Sequence, residues 1–302
     1  MRKVGIIGLG NVGATVAYTL FTHGLADELV LIDLNEKKRD AEFNDLRDAA
    51  ARNDKYVKVD AGEYADLADA DLVVTAFGSI KASVESGDRF AEFPINTKNA
   101  KQVGPAIKAS GFHGILLNIT NPCDAVTTIL QQTTGLPKEH VFGTGTFLDT
   151  ARMQRIIGEK FEINPRSVDG FVLGEHGASQ FTAWSTITAG GQTVTKLLSE
   201  DERKELSQQP NKNAFKVADG KGFTNWAVAS CAAKLVEMVF SNAHAYVPAS
   251  VYVPALGTYL GYPAVIGWNG VEKVGNLELP ADEQKQLEES ANYVKSHLAK
   301  FA

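Results

Sequence analysis

The chain opens on a pattern with few structural solutions. Residues 3–7 are a short, mostly apolar run, and Gly8-Leu9-Gly10-Asn11-Val12-Gly13 follows with no spacer. From Val12 the apolar positions recur at helical spacing until His23, and Gly24 closes the stretch. A strand, a glycine turn and a helix are therefore expected in that order. Further apolar runs at 29–32, 72–77, 115–119 and 141–142 alternate with amphipathic stretches at 36–51 and 92–110, and with one that begins at Pro122. Strands this uniformly apolar are buried on both faces, which requires a parallel sheet with helices on each side. Gly24 suits a helix end and Pro122 a helix start. The expected fold class is α/β, a doubly wound parallel Rossmann sheet.

Beyond about residue 165 the rhythm changes. Residues 181–188 read as a strand before a hairpin-like turn at Gly190-Gly191, and 199–216 as a charged segment. A helix is expected over 222–242, strands over 246–253 and 256–266, and a closing amphipathic helix over 281–300, whose Asp282 and Glu283 suit its positive end. This half reads as a second, mixed α+β substrate domain. The expected division is 1–145 for dinucleotide binding and 146–302 for catalysis. Residues 36–51 mix Phe43 and Leu46 with alanines. That face fits a subunit interface or docking on the protein's own sheet equally well.

Composition narrows the function. At 302 residues with 44% hydrophobic and 22% charged side chains, the chain has material for a large core without disulfides. A formal charge of −6 and the lack of any basic tract argue against nucleic-acid binding. No apolar run reaches the ~18 residues of a membrane span, and the N-terminus lacks a leader's long apolar region. Cys123 and Cys231 form no CxxC pair, so neither a disulfide framework nor a cysteine zinc site is expected. The expected compartment is the cytoplasm.

Gly8, Gly10 and Gly13 stand as G-x-G-x-x-G between strand and helix, the context that gives the motif meaning. The first glycine permits the turn, the second admits a pyrophosphate to the backbone, and the third packs helix on strand. Amides at the start of the helix, from Gly10, Asn11 and Val12, then face the phosphates. Asp33 ends the second strand twenty residues past Gly13, where a carboxylate accepts hydrogen bonds from ribose hydroxyls and repels a 2′-phosphate. NAD is the expected cofactor. A tight turn with an ordinary strand-end acid, or a methyltransferase-type nucleotide site, would share part of this pattern.

Of six histidines, His176 stands out, between glycines in Gly174-Glu175-His176-Gly177 at an expected strand end. Its ordinary pKa suits proton exchange near neutrality. Asp149 and Arg152, three apart in a helical segment, share a face. The acid could orient an imidazole and the guanidinium could grip a carboxylate in two parallel bonds. On spacing alone an exposed ion pair is the stronger reading.

Taken together, residues 8–13, Asp33, Gly87-Asp88-Arg89, Asn121-Pro122, Leu148-Asp149 with Arg152, 174–177 and 221–226 resemble, in order, the L-lactate/malate dehydrogenase superfamily. The segments 87–90, 148–155 and 174–180 look most like the L-2-hydroxyisocaproate dehydrogenases of lactic acid bacteria. The resemblance implies an NAD-dependent L-2-hydroxycarboxylate dehydrogenase with His176 as acid/base, Asp149 orienting it and Arg152 binding the substrate carboxylate. It further implies that Arg89 closes over the substrate, that Asn121 bonds the substrate oxygen beside the nicotinamide across a cis peptide to Pro122, that Thr144 meets the carboxamide and that Thr224 lines the pocket. No metal is implied, and a homo-oligomer, dimer or tetramer, is.

Relatives carry a glutamine for lactate or an arginine for malate in the loop before Arg89. Neither occurs between Gly78 and Asp88, where Lys81 is the single cation. Ala82, Ser83 and Val84 suggest room for a medium apolar side chain, with lactate as the alternative substrate. Ala178 stands where the family usually has aspartate, which should loosen a polar contact behind the histidine. A non-catalytic NAD sensor would need only the glycines and Asp33, not Arg89, Asp149, Arg152 and His176 together.

Overall fold

The apolar runs become strands wherever both faces are covered. In the computed structural model, which describes residues 2–78 and 92–300, β1 (Lys3–Ile7) leads into α1 (Asn11–His23), β2 (Glu28–Ile32), α2 (Glu36–Ala49), β3 (Lys58–Ala61) and β4 (Leu72–Thr75). After residue 92 come α3 (Phe93–Ala109), β5 (Ile115–Asn118), α4 (Cys123–Thr134), β6 (Val141–Gly143) and α5 (Phe147–Phe161). Every residue of β2, β4 and β5 is buried, the reason their sequences do not alternate. β3 is different. It lies at the sheet edge with an exposed first residue and a single buried one, so Lys-Val-Asp-Ala left no apolar signal.

The six strands run parallel in the order β3-β2-β1-β4-β5-β6. The order reverses between β1 and β4, and ligands of such sheets bind outside the carboxyl ends of the strands at that point. One face packs α1 against the core around Leu20, Leu29 and Leu72; the other packs α3 and α4 around Ile107, Val126 and Leu130. Leu46 of α2 belongs to the first of these cores, and Phe43 packs partly buried against it.

The second half does not start a separate main sheet. β12 (Ala245–Val253), β13 (Thr258–Gly267) and β14 (Gly270–Val274) continue the first one antiparallel, giving nine strands. The join is a single residue pair, Ser250 of β12 opposite Gly143 of β6. Short strands β7 to β11 (Val168–Asp169, Val172–Leu173, Phe181–Thr182, Thr188–Ala189, Gln192–Thr193) form two small sheets beside it.

Three expectations need correction. Residues 181–188 are not one strand, because a 3₁₀ turn at Trp184–Thr186 interrupts them; the turn at Gly190-Gly191 does join β10 to β11. The charged segment is the 22-residue helix α6 (Glu200–Lys221), started by a reciprocal Ser199–Glu202 capping box and carrying Pro210 inside. Gly222 is its left-handed cap and does not begin the next helix, α7, which runs Trp226–Phe240. The chain closes with α8 (Ala281–Ala299). Among the described residues no helix is long and apolar enough to cross a membrane, and no cluster of ligating side chains could hold a metal ion.

Candidate active site

The glycine turn between β1 and α1 shows why each glycine stands where it does. Gly8 adopts φ +93°, a left-handed conformation that side chains disfavour. A Cβ on Gly13 would collide with the carbonyl oxygen of Gly8, so the helix could not sit this close. A Cβ on Gly10 would meet nothing within 4 Å. No side chain caps α1, and Gly10, Asn11 and Val12 line the adjoining cleft. An uncapped helix start beside an open glycine is a fit for a pyrophosphate. Asp33 does not line the cleft. Its Oδ2 accepts from the Leu9 N–H at 2.7 Å and its Oδ1 from the Asn35 N–H at 2.8 Å, so it braces the turn. A carboxylate has about four acceptor positions, which leaves room for hydroxyl donors as well.

At the carboxyl end of β5 the Asn121-Pro122 bond is cis, and α4 begins directly after it. The buried Asn96 of α3 donates from Nδ2 to the Asn121 carbonyl at 2.7 Å. Thr144, just after β6, donates its N–H to Asn118 O at 3.0 Å, tying the ends of two strands together.

The histidine is held from several sides. Asp149, in the first turn of α5 and 1% exposed, meets His176 Nδ1 through Oδ2 at 2.5 Å, while its Oδ1 accepts from Arg152 NH1 at 2.9 Å. The exposed-pair reading of Asp149 and Arg152 is thereby corrected: the acid is buried and serves both partners. The His176 main-chain N–H donates to Oδ2 of Asp124 at 2.8 Å. Burial pushes the Asp124 carboxyl up to about 7 and the nearby Glu175 charge adds to this, against hydrogen bonds from Ser250 and the His176 N–H. Glu175 Oε2 in turn accepts the N–H of Ala178, at 2.9 Å, and the N–H and hydroxyl of Ser179, at 2.8 and 3.0 Å. The turn after the histidine is therefore pinned through its main chain, and alanine at 178 does not leave it loose.

A cleft of about 550 Å³ collects Gly10, Asn11, Val12, Asn121, Thr144, Arg152, His176 and Thr224. Gly8, Gly13, Asp33 and Asp149 stand behind its walls, shaping or bracing them. Arg89 and the specificity segment before it, from Ser79 onward, lie outside the described residues. Phe77, Glu92, Leu148 and Phe223, to which the sequence assigned no role, also line the cleft, and Asn96 and Asp124 stand behind it. The last was marked by an acid two residues after the helix-starting proline.

Comparison with known proteins matches this arrangement end to end. The NAD binding domain of lactate/malate dehydrogenase matches residues 2–143, and the family's alpha/beta C-terminal domain matches 146–302. The chain belongs to the lactate/malate dehydrogenase family. It is an oxidoreductase of that family, and its cofactor is NAD. It is 38% identical over 307 residues to L-lactate dehydrogenase 1 of Bifidobacterium longum subsp. longum, covering 98% of this chain and 96% of the relative. L-lactate dehydrogenase 2 of Lactococcus lactis subsp. lactis is 35% identical, with 97% and 96% covered. The minor L-lactate dehydrogenase of Enterococcus mundtii, solved in a ligand-bound form, superposes with a TM-score of 0.93 at 33% identity over 100% of this chain and 98% of that one. The narrower likeness to L-2-hydroxyisocaproate dehydrogenases has no counterpart among these relatives.

Proposed function

We propose that this chain is an L-lactate dehydrogenase, interconverting L-lactate and pyruvate. One observation carries the 2-oxo acid chemistry: a single buried carboxylate, Asp149, holds both the guanidinium of Arg152 and the imidazole of His176 at the cleft that begins at the glycine turn. The likeness to L-lactate dehydrogenases favours pyruvate among such acids. A 2-oxo acid needs those two functions side by side, a cation for its carboxylate and a proton donor for its carbonyl oxygen. NAD, when bound, supplies or accepts the hydride at the substrate's second carbon.

Each residue has its part in this reading. The main chain at Gly10, Asn11 and Val12 receives the cofactor's pyrophosphate, Gly8 and Gly13 shape that turn, and Asp33 takes the ribose hydroxyls. Thr144 and Asn121 face the nicotinamide side of the cleft. Arg152 binds the substrate carboxylate with a planar fork that lysine does not offer. With Nδ1 committed to Asp149, His176 exchanges its proton with the substrate oxygen through Nε2. In reduction the oxygen gains negative charge as the carbon is attacked, so a positioned proton donor acts on charge that develops in the transition state. Asn121 donates to the same oxygen, Arg89 adds a second cation there, and Thr224 bounds the pocket. Residues 1–145 serve the cofactor and 146–302 the substrate, and the working form is a cytoplasmic homo-oligomer, a dimer or tetramer.

A second reading rests on the sequence before Arg89. With neither glutamine nor arginine between Gly78 and Asp88, the pocket would favour a larger apolar side chain such as that of 2-oxoisocaproate. Initial rates with NADH on pyruvate, 2-oxoisocaproate and oxaloacetate separate the two. The highest kcat/KM on pyruvate supports the lactate reading, and on 2-oxoisocaproate the alternative. Dominance of oxaloacetate refutes both, because a second carboxylate has no bidentate partner in that segment.

A further inference from the structure

Asp124 is a buried carboxyl against the histidine that the proposed reaction leaves unused. It is fully buried in the first turn of α4, immediately after the cis Asn121-Pro122 bond. Both of its oxygens accept: Oδ2 from the His176 N–H at 2.8 Å, and Oδ1 from the Ser250 hydroxyl at 2.6 Å. Ser250 is itself fully buried and forms the pair with Gly143 through which the antiparallel strands join the parallel sheet. One side chain thus ties together α4, the histidine loop and the seam of the sheet.

A neutral acceptor would satisfy the His176 N–H at lower desolvation cost. Asparagine has one acceptor oxygen, however, and cannot take both donors in this geometry. Once ionised, above about pH 7, the carboxyl also sets a negative charge behind the histidine, in a dry setting where charges act strongly. The groups facing it are Glu175 and His176 from the loop, Ser250 from β12 and Cys123 from its own helix. Among them the imidazole is the group that can carry positive charge. The start of α4 favours the anion, as helix N-termini do.

We propose that Asp124 is a positioning residue for catalysis: it fixes the main chain of His176 against the sheet seam, and its charge favours the protonated imidazole. The proposal rests on His176 being the proton donor of the reaction proposed above. Asp149 governs the ring nitrogen and Asp124 the backbone, so the histidine is set by two carboxylates and not one.

The test compares Asp124→Asn and Ser250→Ala with the parent. The measurements are kcat, KM for pyruvate, NADH affinity by fluorescence, and the pH profile of kcat/KM for reduction. The His176 ring is also titrated by NMR, its signal assigned with His176→Asn. For Asp124→Asn, kcat should fall roughly 10-fold or more from a displaced donor, with NADH affinity changed less than about 2-fold because Asp124 does not line the cleft. The alkaline limb of the profile, where the donor loses its proton, should move down by about half a pH unit or more. Ser250→Ala should move the limb in the same direction by less, since it removes one donor that favours the carboxylate, and it serves if Asp124→Asn does not fold. The ring titration is read without turnover. A parent inactive on every 2-oxo acid would defeat the functional reading, while a lowered ring titration in the variants would still support the charge coupling. Unchanged ring titration and an unchanged pH profile in both variants overturn the proposal.

Discussion

Asp149→Asn is the substitution whose consequences the structure defines most closely. The two oxygens of Asp149 are both engaged, one by His176 Nδ1 at 2.5 Å and one by Arg152 NH1 at 2.9 Å, in a site 1% exposed. Asparagine keeps one acceptor and turns the other into an NH₂. If the NH₂ faces Arg152, two donors oppose each other and a guanidinium loses its counter-charge. If it faces His176, the ring must present Nδ1 as an acceptor, so the proton sits on Nε2 without a carboxylate to stabilise the cation. Breaking a buried pair from one side costs about 3 kcal/mol or more. At about 1.4 kcal/mol per decade, kcat/KM for pyruvate should fall roughly 100-fold or more. The assay follows NADH absorbance at 340 nm over a pyruvate series from pH 5.5 to 9. The loss should deepen as pH rises, because the unassisted imidazole gives up its proton sooner. NADH affinity should stay within about 2-fold, since Asp149 stands behind the cleft wall. A loss under 10-fold, or one that does not vary with pH, would refute the idea that this carboxylate stabilises a catalytic cation.

Other outcomes follow from the same geometry. Gly13→Ala drives a Cβ into the Gly8 carbonyl oxygen; the turn must open, and NADH affinity measured by fluorescence should weaken about 10-fold or more with a lower Tm. Asp124 holds its proton up to about 7 in the folded chain against 3.8 ordinarily, so the native state binds more protons than the unfolded one between those values. Stability is therefore lost as pH rises from about 4 to 7, by on the order of a few kcal/mol at most, and the Tm of Asp124→Asn relative to the parent should become steadily more favourable across that window. Burial pushes the thiols of Cys123 and Cys231 up to about 12. Both should resist alkylation by iodoacetamide at pH 8 in the folded protein and react promptly in urea; rapid labelling of the native chain would contradict that packing.

The parts of the fold that were legible are those whose signal is local. β2, β4 and β5 were visible because burial on both faces leaves only apolar residues. β3 was not, since an edge strand with one buried side chain writes no such run. The helix α6 was hidden because Pro210 and a sequence rich in charge give it no apolar stripe, although Ser199 and Glu202 spell out its start. The strand expected over 181–188 failed because Trp184–Thr186 turn, with Thr186 donating to Ala183 O and Ser185 bonding to the buried Glu283 of α8. That last contact spans 98 residues, and local pattern contains nothing of it.

The sequence by itself determined the strand–glycine–helix opening, the parallel character of the covered strands and the residue types able to hold a dinucleotide and move a proton. These follow from backbone freedom, hydrophobic period and side-chain chemistry, which act over a few neighbours. Tertiary structure decided which acid meets which face of His176. Asp149 stands 27 residues away and Asp124 52, and Ser250 is 126 residues from the carboxyl it donates to. A hydrogen bond depends on tenths of an ångström between segments that only the packed sheet brings together, and the burial that makes Asp124 unlike an ordinary aspartate exists only once that sheet has closed over it.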